Sequence, residues 1–262
     1  MSSVKKFQCQ NCGQCCKNGR GRLGELGKSR PLSPFVYEYI SRYRVTIPLH
    51  EWELPVLRKE AMKKQIALKI LPFLTIWDVV NKLPIVLNWT LDHDDCPFLS
   101  KNKLCNINDN KPLVCKAYPL HCYGLTNPEP NRKIDIDRGD CPNAVVLDEM
   151  DTPEKIRYTD LLRRLHDAYG SSLVGMIQEE AAVKFEVDTI ESMSVACEIY
   201  PELMNKNTEA LILSKKPAGL FEVLRRKKPA FYYEATKYIK GIYALGEKDL
   251  EMMLSSSRLS LI

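Results

Sequence analysis

The sequence lacks the segments that would place a chain in or across a membrane. Its first seven residues contain no apolar core of the kind that a secretory signal needs. No uninterrupted apolar run reaches the ~18 residues of a membrane-spanning helix, and the richest stretch, residues 70–77, is short and contains Pro72. These absences predict a soluble cytoplasmic protein that has no membrane partner.

The familiar catalytic motifs are also missing. The chain has no G-x-S-x-G turn, no H-E-x-x-H pair, no Walker A loop and no C-x-x-x-C-x-x-C spacing of radical S-adenosylmethionine enzymes. Residues 19–24 match G-x-G-x-x-G in letters, but they follow a cysteine pair instead of a strand, which favours a basic loop. His50 and His166 are isolated, and we expect them to pack or to lie on the surface. The sequence therefore names no catalytic residue and leaves enzymatic activity open.

Charge gives only a weak indication of partners. The net charge of +5 is mild for a chain of 262 residues and does not by itself imply nucleic acid. The basic excess lies near the C-terminus, where residues 205–248 contain ten Lys or Arg against four Glu. A basic run at 225–228 and the tyrosines after it could line a nucleic-acid groove, but an amphipathic helix explains them equally well.

Cysteine is the residue that the sequence has in excess. There are ten cysteines, and nine of them lie between Cys9 and Cys141. Disulfides are rare in a reducing cytosol, so this number favours metal binding there. The last cysteine, Cys197, lies on a predicted helix, and we expect it to be buried as a small apolar side chain.

Four of the cysteines occur within eight residues, in the pattern C-x-x-C-x-x-C-C. Cys9, Cys12 and Cys15 have the spacing that begins a ferredoxin-type cluster loop, and thiolates at this spacing can bind one metal ion or cluster. Cys15 and Cys16 are adjacent, and because adjacent side chains diverge, we expect one of them to serve a different ligand set or a structural position. A fourth ligand must then come from a distant part of the chain.

The other cysteines of this half lie on loops that proline and asparagine bend. They occur in the motifs C-P-F-L, C-x-I, K-P-x-x-C and C-P, at Cys96, Cys105, Cys115 and Cys141. Loops that are already bent lose less conformational entropy when they close around a metal. Zinc sites and iron–sulfur clusters both use thiolates held in this way.

Together these motifs resemble the YkgJ-type CxxCxxCC cysteine-cluster family. The resemblance covers residues 7–142, interrupted by an insert at 17–95, and the pattern is also similar to the cysteine region of flagellin lysine methylases. It implies a zinc- or iron-chelating protein, and the likeness to the methylases implies an iron–sulfur cluster. Eight cysteines match the family positions and are the predicted metal ligands: Cys9, Cys12, Cys15, Cys16, Cys96, Cys105, Cys115 and Cys141.

Eight thiolates suit either one four-thiolate site with spare cysteines or two complete sites. Cys122, which follows His121, and His93, near Cys96, are further candidate ligands. All-cysteine ligation suits zinc and iron–sulfur clusters alike. We predict an iron–sulfur cluster of the [4Fe-4S] type and keep zinc as the alternative.

The element pattern predicts an α+β fold with two regions. Residues 1–150 form a cysteine-rich metal-binding region with short strands, and residues 151–262 form a mainly helical region. In the first region we predict helices at 35–43 and 53–70, a hairpin of 73–77 with 84–91, and a strand at 133–137. In the second region we predict one helix that starts at Thr152–Pro153. We predict further helices at 173–185, 188–200, 210–228 and 231–254.

The sequence thus predicts a cysteine-ligated metal-binding protein whose cluster transfers electrons or stabilises structure, with a redox or other protein as its partner. Three further functions stay open: a structural zinc protein, a protein-lysine N-methyltransferase as the resemblance implies, and a nucleic-acid-associated regulator. The chain has no glycine-rich cofactor loop after a strand, which disfavours the methyltransferase.

Overall fold

The computed structural model describes residues 6–10, 12–17, 35–38, 47–93, 95–123, 133–136, 141, 143–145 and 158–255 of the chain. In these ranges the protein has the predicted α+β fold. The strands are β1 (Val36–Glu38), β2 (Pro48–His50), β3 (Ile70–Asp78), β4 (Leu83–Leu91), β5 (Leu120–Tyr123), β6 (Lys133–Ile136) and β7 (Ala218–Gly219). The α-helices are α1 (Gln14–Lys17), α2 (Leu54–Lys63), α3 (Leu113–Ala117), α4 (Tyr158–Tyr169), α5 (Ser171–Val195), α6 (Lys206–Ser214), α7 (Leu220–Lys227), α8 (Pro229–Ala244) and α9 (Glu247–Ser255).

The main sheet is built around the hairpin of β3 and β4. Its strand order is β1-β3-β4-β2, all antiparallel, and β7 adds to β4 in parallel. The hairpin register pairs Ile76 with Ile85, and β-branched and aromatic residues favour such strands because they fit a pleated, half-buried surface. At the turn, the carboxylate of Asp78 accepts a hydrogen bond from the backbone N–H of Val80 (3.0 Å). The predicted hairpin is confirmed.

Strand β1 shows that the helix predicted for residues 35–43 is wrong. Val36–Glu38 pairs antiparallel with β3, with Val36 opposite Ile76. Residues 39–43 lie outside the described residues. So short a segment has little conformational preference of its own, so the edge of the central hairpin decides its structure.

The helix predicted for 53–70 is shorter in the structure. It begins at Leu54, after a 3-10 turn at Glu51–Glu53, and ends at Lys63. Gln65 has a left-handed φ of 55°, which reverses the chain and ends the helix. The strand predicted at 133–137 is present as β6, which pairs with β5, and residue 137 lies outside the described part.

The helical region is segmented differently from the prediction. One continuous 25-residue helix, α5, replaces the two helices predicted between 173 and 200. The helix predicted for 210–228 is interrupted, because Ala218–Gly219 pairs with β4 between α6 and α7. The predicted 231–254 helix is divided into α8 and α9, and the predicted start at Thr152–Pro153 lies outside the described residues. No helix in the described ranges has the length and apolar character needed to cross a bilayer.

Hydrophobic clusters join residues from both sides of residue 150. Ile76 and Ile85 of the hairpin pack in one cluster with residues of α5, α7 and α8. Leu120 of β5 packs in another cluster with residues of α4, α5 and α9. A third cluster joins β2 and α2 to Phe98. The two-region division at 150 stays a prediction.

Candidate metal centre

The N-terminal cysteine segment is attached to the fold at its two ends. At one end, the backbone N–H of Phe7 donates to the carbonyl of Ala168 (2.7 Å), and the Phe7 ring lies 5.3 Å from the ring of Tyr169 at the end of α4. At the other end, the backbone N–H of Cys96 donates to the carbonyl of Cys16 (3.2 Å). The segment therefore connects the helical region to the loop that begins at Cys96.

Gly13 allows this segment to lie directly against the 96–105 loop. Its φ is +69°, a conformation that favours glycine, and a Cβ at this position would lie 2.5 Å from both the Leu99 side chain and the carbonyl oxygen of Lys103. The carbonyl of Gly13 also accepts the N–H of Cys16 (3.2 Å). The glycine of the C-x-x-C-G motif is therefore required by close backbone contact.

The 96–105 loop is a tight reversal that brings two cysteines near each other. The N–H of Leu99 donates to the carbonyl of Cys96 (3.0 Å), and Leu99 forms an isolated antiparallel bridge with Cys105. Phe98 anchors the loop in the core, where its side chain is 1% exposed. The half-buried cysteines Cys96 and Cys105 lie at the two ends of this reversal.

Cys115 lies at the centre of the short helix α3, which follows a 3-10 turn at Asn108–Asn110. Leu113 of the same helix is fully buried, and the peptide bond between Tyr118 and Pro119 after the helix is cis. Cys122 follows on β5, opposite Ile134 of β6, and the structure describes its backbone only.

Cys141 lies near the three cysteines of the C-x-x-C-x-x-C spacing. Burial raises the pKa of the Cys141 thiol, a hydrogen bond from the backbone of Asn143 opposes this, and negative charge on Cys12, Cys15 and Cys9 raises the pKa further. We call these four residues the Cys141 group: Cys9, Cys12, Cys15 and Cys141.

Cys16 lies near Cys96, Cys105 and Cys115. A hydrogen bond with the Cys15 thiol lowers the pKa of Cys16, but a hydrogen bond with Cys96, burial and the charges of Cys96 and Cys105 outweigh it and raise the pKa to about 12. Desolvation raises the pKa of Cys115 well above its ordinary value, and the charges of Cys16, Cys15 and Cys105 contribute. Because Cys15 is already in the Cys141 group, we call the other four residues the Cys16 group: Cys16, Cys96, Cys105 and Cys115.

The adjacent residues Cys15 and Cys16 lie where the two groups meet, and Cys115 of the Cys16 group interacts with both of them. The hydrogen bond between the Cys15 and Cys16 thiols is the main reason that the pKa of Cys15 is raised, and Lys111 opposes the shift. Negative charge on one thiolate raises the pKa of the thiols around it, and a bound cation relieves this repulsion. The donors and their electrostatics therefore fit a thiolate-bound metal. In the described residues, no three His, Cys, Asp or Glu side chains form a group that could hold a metal ion.

Two further residues, His93 and Cys197, lie outside the two thiol groups. Nε2 of His93 accepts a hydrogen bond from the backbone of Lys69 (2.9 Å), so it is not directed at Cys96 as a ligand. Cys197 is exposed, which corrects the expectation that it is buried; it follows the end of α5 with a left-handed φ of 56°.

A buried ionic cluster, which no sequence motif indicated, joins strand β2 to helix α5. His50, at the end of β2, has Nδ1 2.8 Å from Glu186 Oε1 and Nε2 3.1 Å from Glu179 Oε2. Burial alone would lower the pKa of His50, but the two carboxylates raise it well above its ordinary value. Asn88 donates to the second oxygen of Glu186 (3.0 Å). His50 is packed, as predicted, but its role is ionic, and only the spacing of Glu179 and Glu186 by two helical turns was visible in the sequence.

Comparison with known proteins identifies the family. The fold and the thiol groups define an α+β protein with a cysteine-rich metal-binding half. Residues 8–142, just over half of the chain, match the CxxCxxCC family, described as "Putative zinc- or iron-chelating domain". The chain belongs to this family, and membership supports metal binding with zinc or iron as the metal. A search of curated proteins and a search of solved structures find no match.

Proposed function

We propose that this protein binds two adjoining iron–sulfur clusters, one in the Cys141 group and one in the Cys16 group, and that it transfers electrons. The observation that supports the proposal is that the adjacent pair of Cys15 and Cys16 interacts with thiols from distant parts of the chain: Cys15 with Cys141, Cys16 with Cys96 and Cys105, and both with Cys115. Each group supplies four thiols, which is the ligand number of a [4Fe-4S] cluster. Ligands on adjacent residues keep the two clusters near each other, as electron transfer between them requires.

The exposure of the Cys141 group supports exchange of electrons with a partner. Cys9, Cys12 and Cys15 are exposed, whereas the members of the Cys16 group are partly buried. A cluster near the surface can approach another redox protein, and a more enclosed cluster can receive the electron from it. A redox partner protein is therefore the partner that this function implies.

Structural zinc is the second candidate, and the same two groups favour it. Four thiolates are a closed structural zinc set, and such a site contributes folding free energy. Zinc would connect the N-terminal segment to the 96–105 loop and to α3 without any redox role.

Anaerobic purification with metal and sulfide analysis separates the two candidates. Iron–sulfur binding predicts a brown protein with about eight iron and eight sulfide per chain, from about four of each per cluster. Reversible reduction without loss of iron supports electron transfer. A colourless protein with about two zinc ions per chain overturns the iron–sulfur proposal and supports the structural one. A chain without iron or zinc after reconstitution overturns both.

A further inference from the structure

The carboxylate of Glu53 accepts hydrogen bonds from three separate parts of the chain. Its Oε2 accepts the backbone N–H of His50 (2.9 Å). Its Oε1 accepts the backbone N–H of Leu113 (2.8 Å) and the hydroxyl of Tyr243 (2.9 Å). The side chain is only 6% exposed, so these donors take the place of water.

Leu113 is the first residue of α3, the helix that carries Cys115. The residue before it, Pro112, makes no side-chain hydrogen bond to the helix N-terminus. The first N–H groups of a helix have no partner within the helix, and a carboxylate at this end also complements the helix dipole. Glu53 supplies this cap from 60 residues away in sequence.

Helix α8 supports Glu53 and contacts α3 as well. The hydroxyl of Tyr243 accepts a hydrogen bond from Trp52 Nε1 (3.2 Å) while it donates to Glu53, so its orientation is defined from both sides. The ammonium group of Lys116, next to Cys115, lies 5.2 Å from the centre of the Tyr243 ring, which is a cation–π distance.

Helix α5 holds the other side of α3. Gly175 lies so close that a Cβ there would be 2.6 Å from the carbonyl carbon of Lys116 and 2.7 Å from the backbone nitrogen of Ala117. The hydroxyl of Ser172 also donates to the carbonyl of Tyr118 (3.2 Å). Helix α3 is therefore held by Glu53, by α8 and by α5.

We propose that Glu53 is a positioning residue of the Cys16 group: by capping α3, with Tyr243 as its support, it sets the direction of Cys115 toward the metal. A helix of five residues has little stability of its own, so its position is set by the groups around it. This inference rests on the proposed function, because it takes Cys115 as a ligand. It gives the C-terminal helices a role in the centre although the matched family domain ends at residue 142.

The test compares two neighbouring glutamates in the full chain, the buried Glu53 and the half-buried Glu51. Glu53→Gln keeps the shape but replaces one acceptor oxygen with a donor. Glu51→Gln is the matched control, because the Glu51 carboxylate also accepts two backbone N–H groups, from Phe221 (2.7 Å) and Glu222 (3.1 Å), at the start of α7 instead of α3. The metal-free, reduced proteins are titrated with Co²⁺ against a chelator, and thiolate charge-transfer absorption is followed.

The wild type is expected to bind about two Co²⁺ ions per chain. In Glu53→Gln, the affinity for about one of these ions is expected to fall by roughly 10- to 100-fold, the range typical for groups that orient metal ligands. The charge-transfer absorption of that Co²⁺ ion is expected to change, while the affinity and absorption of the other ion stay as in the wild type. Glu51→Gln is expected to bind both equivalents as the wild type does. Tyr243→Phe removes only one of the donors to Glu53, and it is expected to lower the affinity for the same Co²⁺ ion by a smaller factor. This variant keeps the test decisive if Glu53→Gln does not fold.

The outcomes separate this inference from the proposed function. If the wild type binds two equivalents and the Glu53 and Tyr243 variants bind both as tightly, the positioning role is wrong. A uniform weakening of both equivalents, together with a lower unfolding midpoint of the metal-free protein, shows a general structural role and also overturns it. If the wild type binds neither Co²⁺ nor iron, the proposed function itself fails.

Discussion

Nδ1 of His50 lies 2.8 Å from Oε1 of Glu186, and this contact joins the end of strand β2 to the long helix α5 across 136 residues of sequence. The His50 side chain is 1% exposed, so the pair is shielded from water. Oε2 of Glu179 lies 3.1 Å from Nε2, the other ring nitrogen of His50, and the Glu179 side chain is partly exposed. The sheet and the central helix are thus joined by an ion pair inside the core.

Removing the imidazole is expected to destabilise the fold. His50→Leu leaves Glu186 buried beside an apolar group, and an uncompensated buried charge costs about 3–5 kcal/mol. Urea unfolding of the metal-free protein measures the free energy. Adding Glu186→Gln to His50→Leu is expected to recover part of the loss, because it removes the uncompensated charge. If the double variant loses as much free energy of unfolding as the two single variants together, or more, His50 and Glu186 do not form an ion pair.

The stability of the metal-free protein is expected to decrease as pH rises through neutrality. Burial raises the pKa of Glu51 to about 7 from an ordinary 4.5, although hydrogen bonds from Phe221 and Glu222 oppose the shift. Because the folded-state pKa is the higher one, the stability that this group contributes is fully present below about pH 4.5 and is lost as pH rises through about 7. At about 1.4 kcal/mol per pKa unit, the loss is up to about 3 kcal/mol.

Urea unfolding at pH 5, 6, 7 and 8 tests this loss by comparing the wild type with Glu51→Gln, which cannot ionise. The wild type is expected to lose stability relative to the variant over this range. Parallel pH profiles would show that the carboxyl group of Glu51 does not titrate there.

Gly13→Ala is expected to detach the N-terminal cysteine segment from the 96–105 loop. The substitution places a non-glycine residue at a φ of +69°, at a cost of roughly 1–2 kcal/mol, and its Cβ would meet Leu99 and Lys103 at 2.5 Å. We expect weaker metal retention, by about tenfold or more, against a chelator. Gly241→Ala on α8 is the control, since a Cβ there meets nothing within 4 Å. If both variants retain metal equally, the contact at Gly13 is not needed for binding.

Single serine substitutions are expected to remove one site at a time. Cys12→Ser should lose the metal of the Cys141 group, and Cys16→Ser should lose that of the Cys16 group, so each variant keeps about half of the wild-type metal. Elemental analysis gives the content. Cys197→Ser, at an exposed position that belongs to neither group, should keep all of the metal. Unchanged metal in Cys12→Ser would exclude that residue as a ligand, and complete loss in both variants would indicate one shared site.

Local patterns predicted the elements that depend on local chemistry. The β3–β4 hairpin was predictable because both strands are rich in β-branched and aromatic residues and are joined by a short turn. β1 was not predictable, because three residues become a strand only when β3 lies beside them. The break between α6 and α7 has the same origin, since Ala218–Gly219 is extended only through its pairing with β4. The lysine methyltransferase and nucleic-acid functions stay predictions.

The sequence by itself determined the chemistry of this protein: the number of thiols, their C-x-x-C-x-x-C-C spacing and the family to which it belongs. The tertiary structure decided which thiols are neighbours: it brought Cys141 near the N-terminal cysteines, and it brought Cys96, Cys105 and Cys115 near Cys16. It also brought His50 to Glu186 and Glu53 to α3, which are contacts over 136 and 60 residues. The physical reason is that ligand identity is a property of a side chain, whereas proximity across such distances arises only when the core packs.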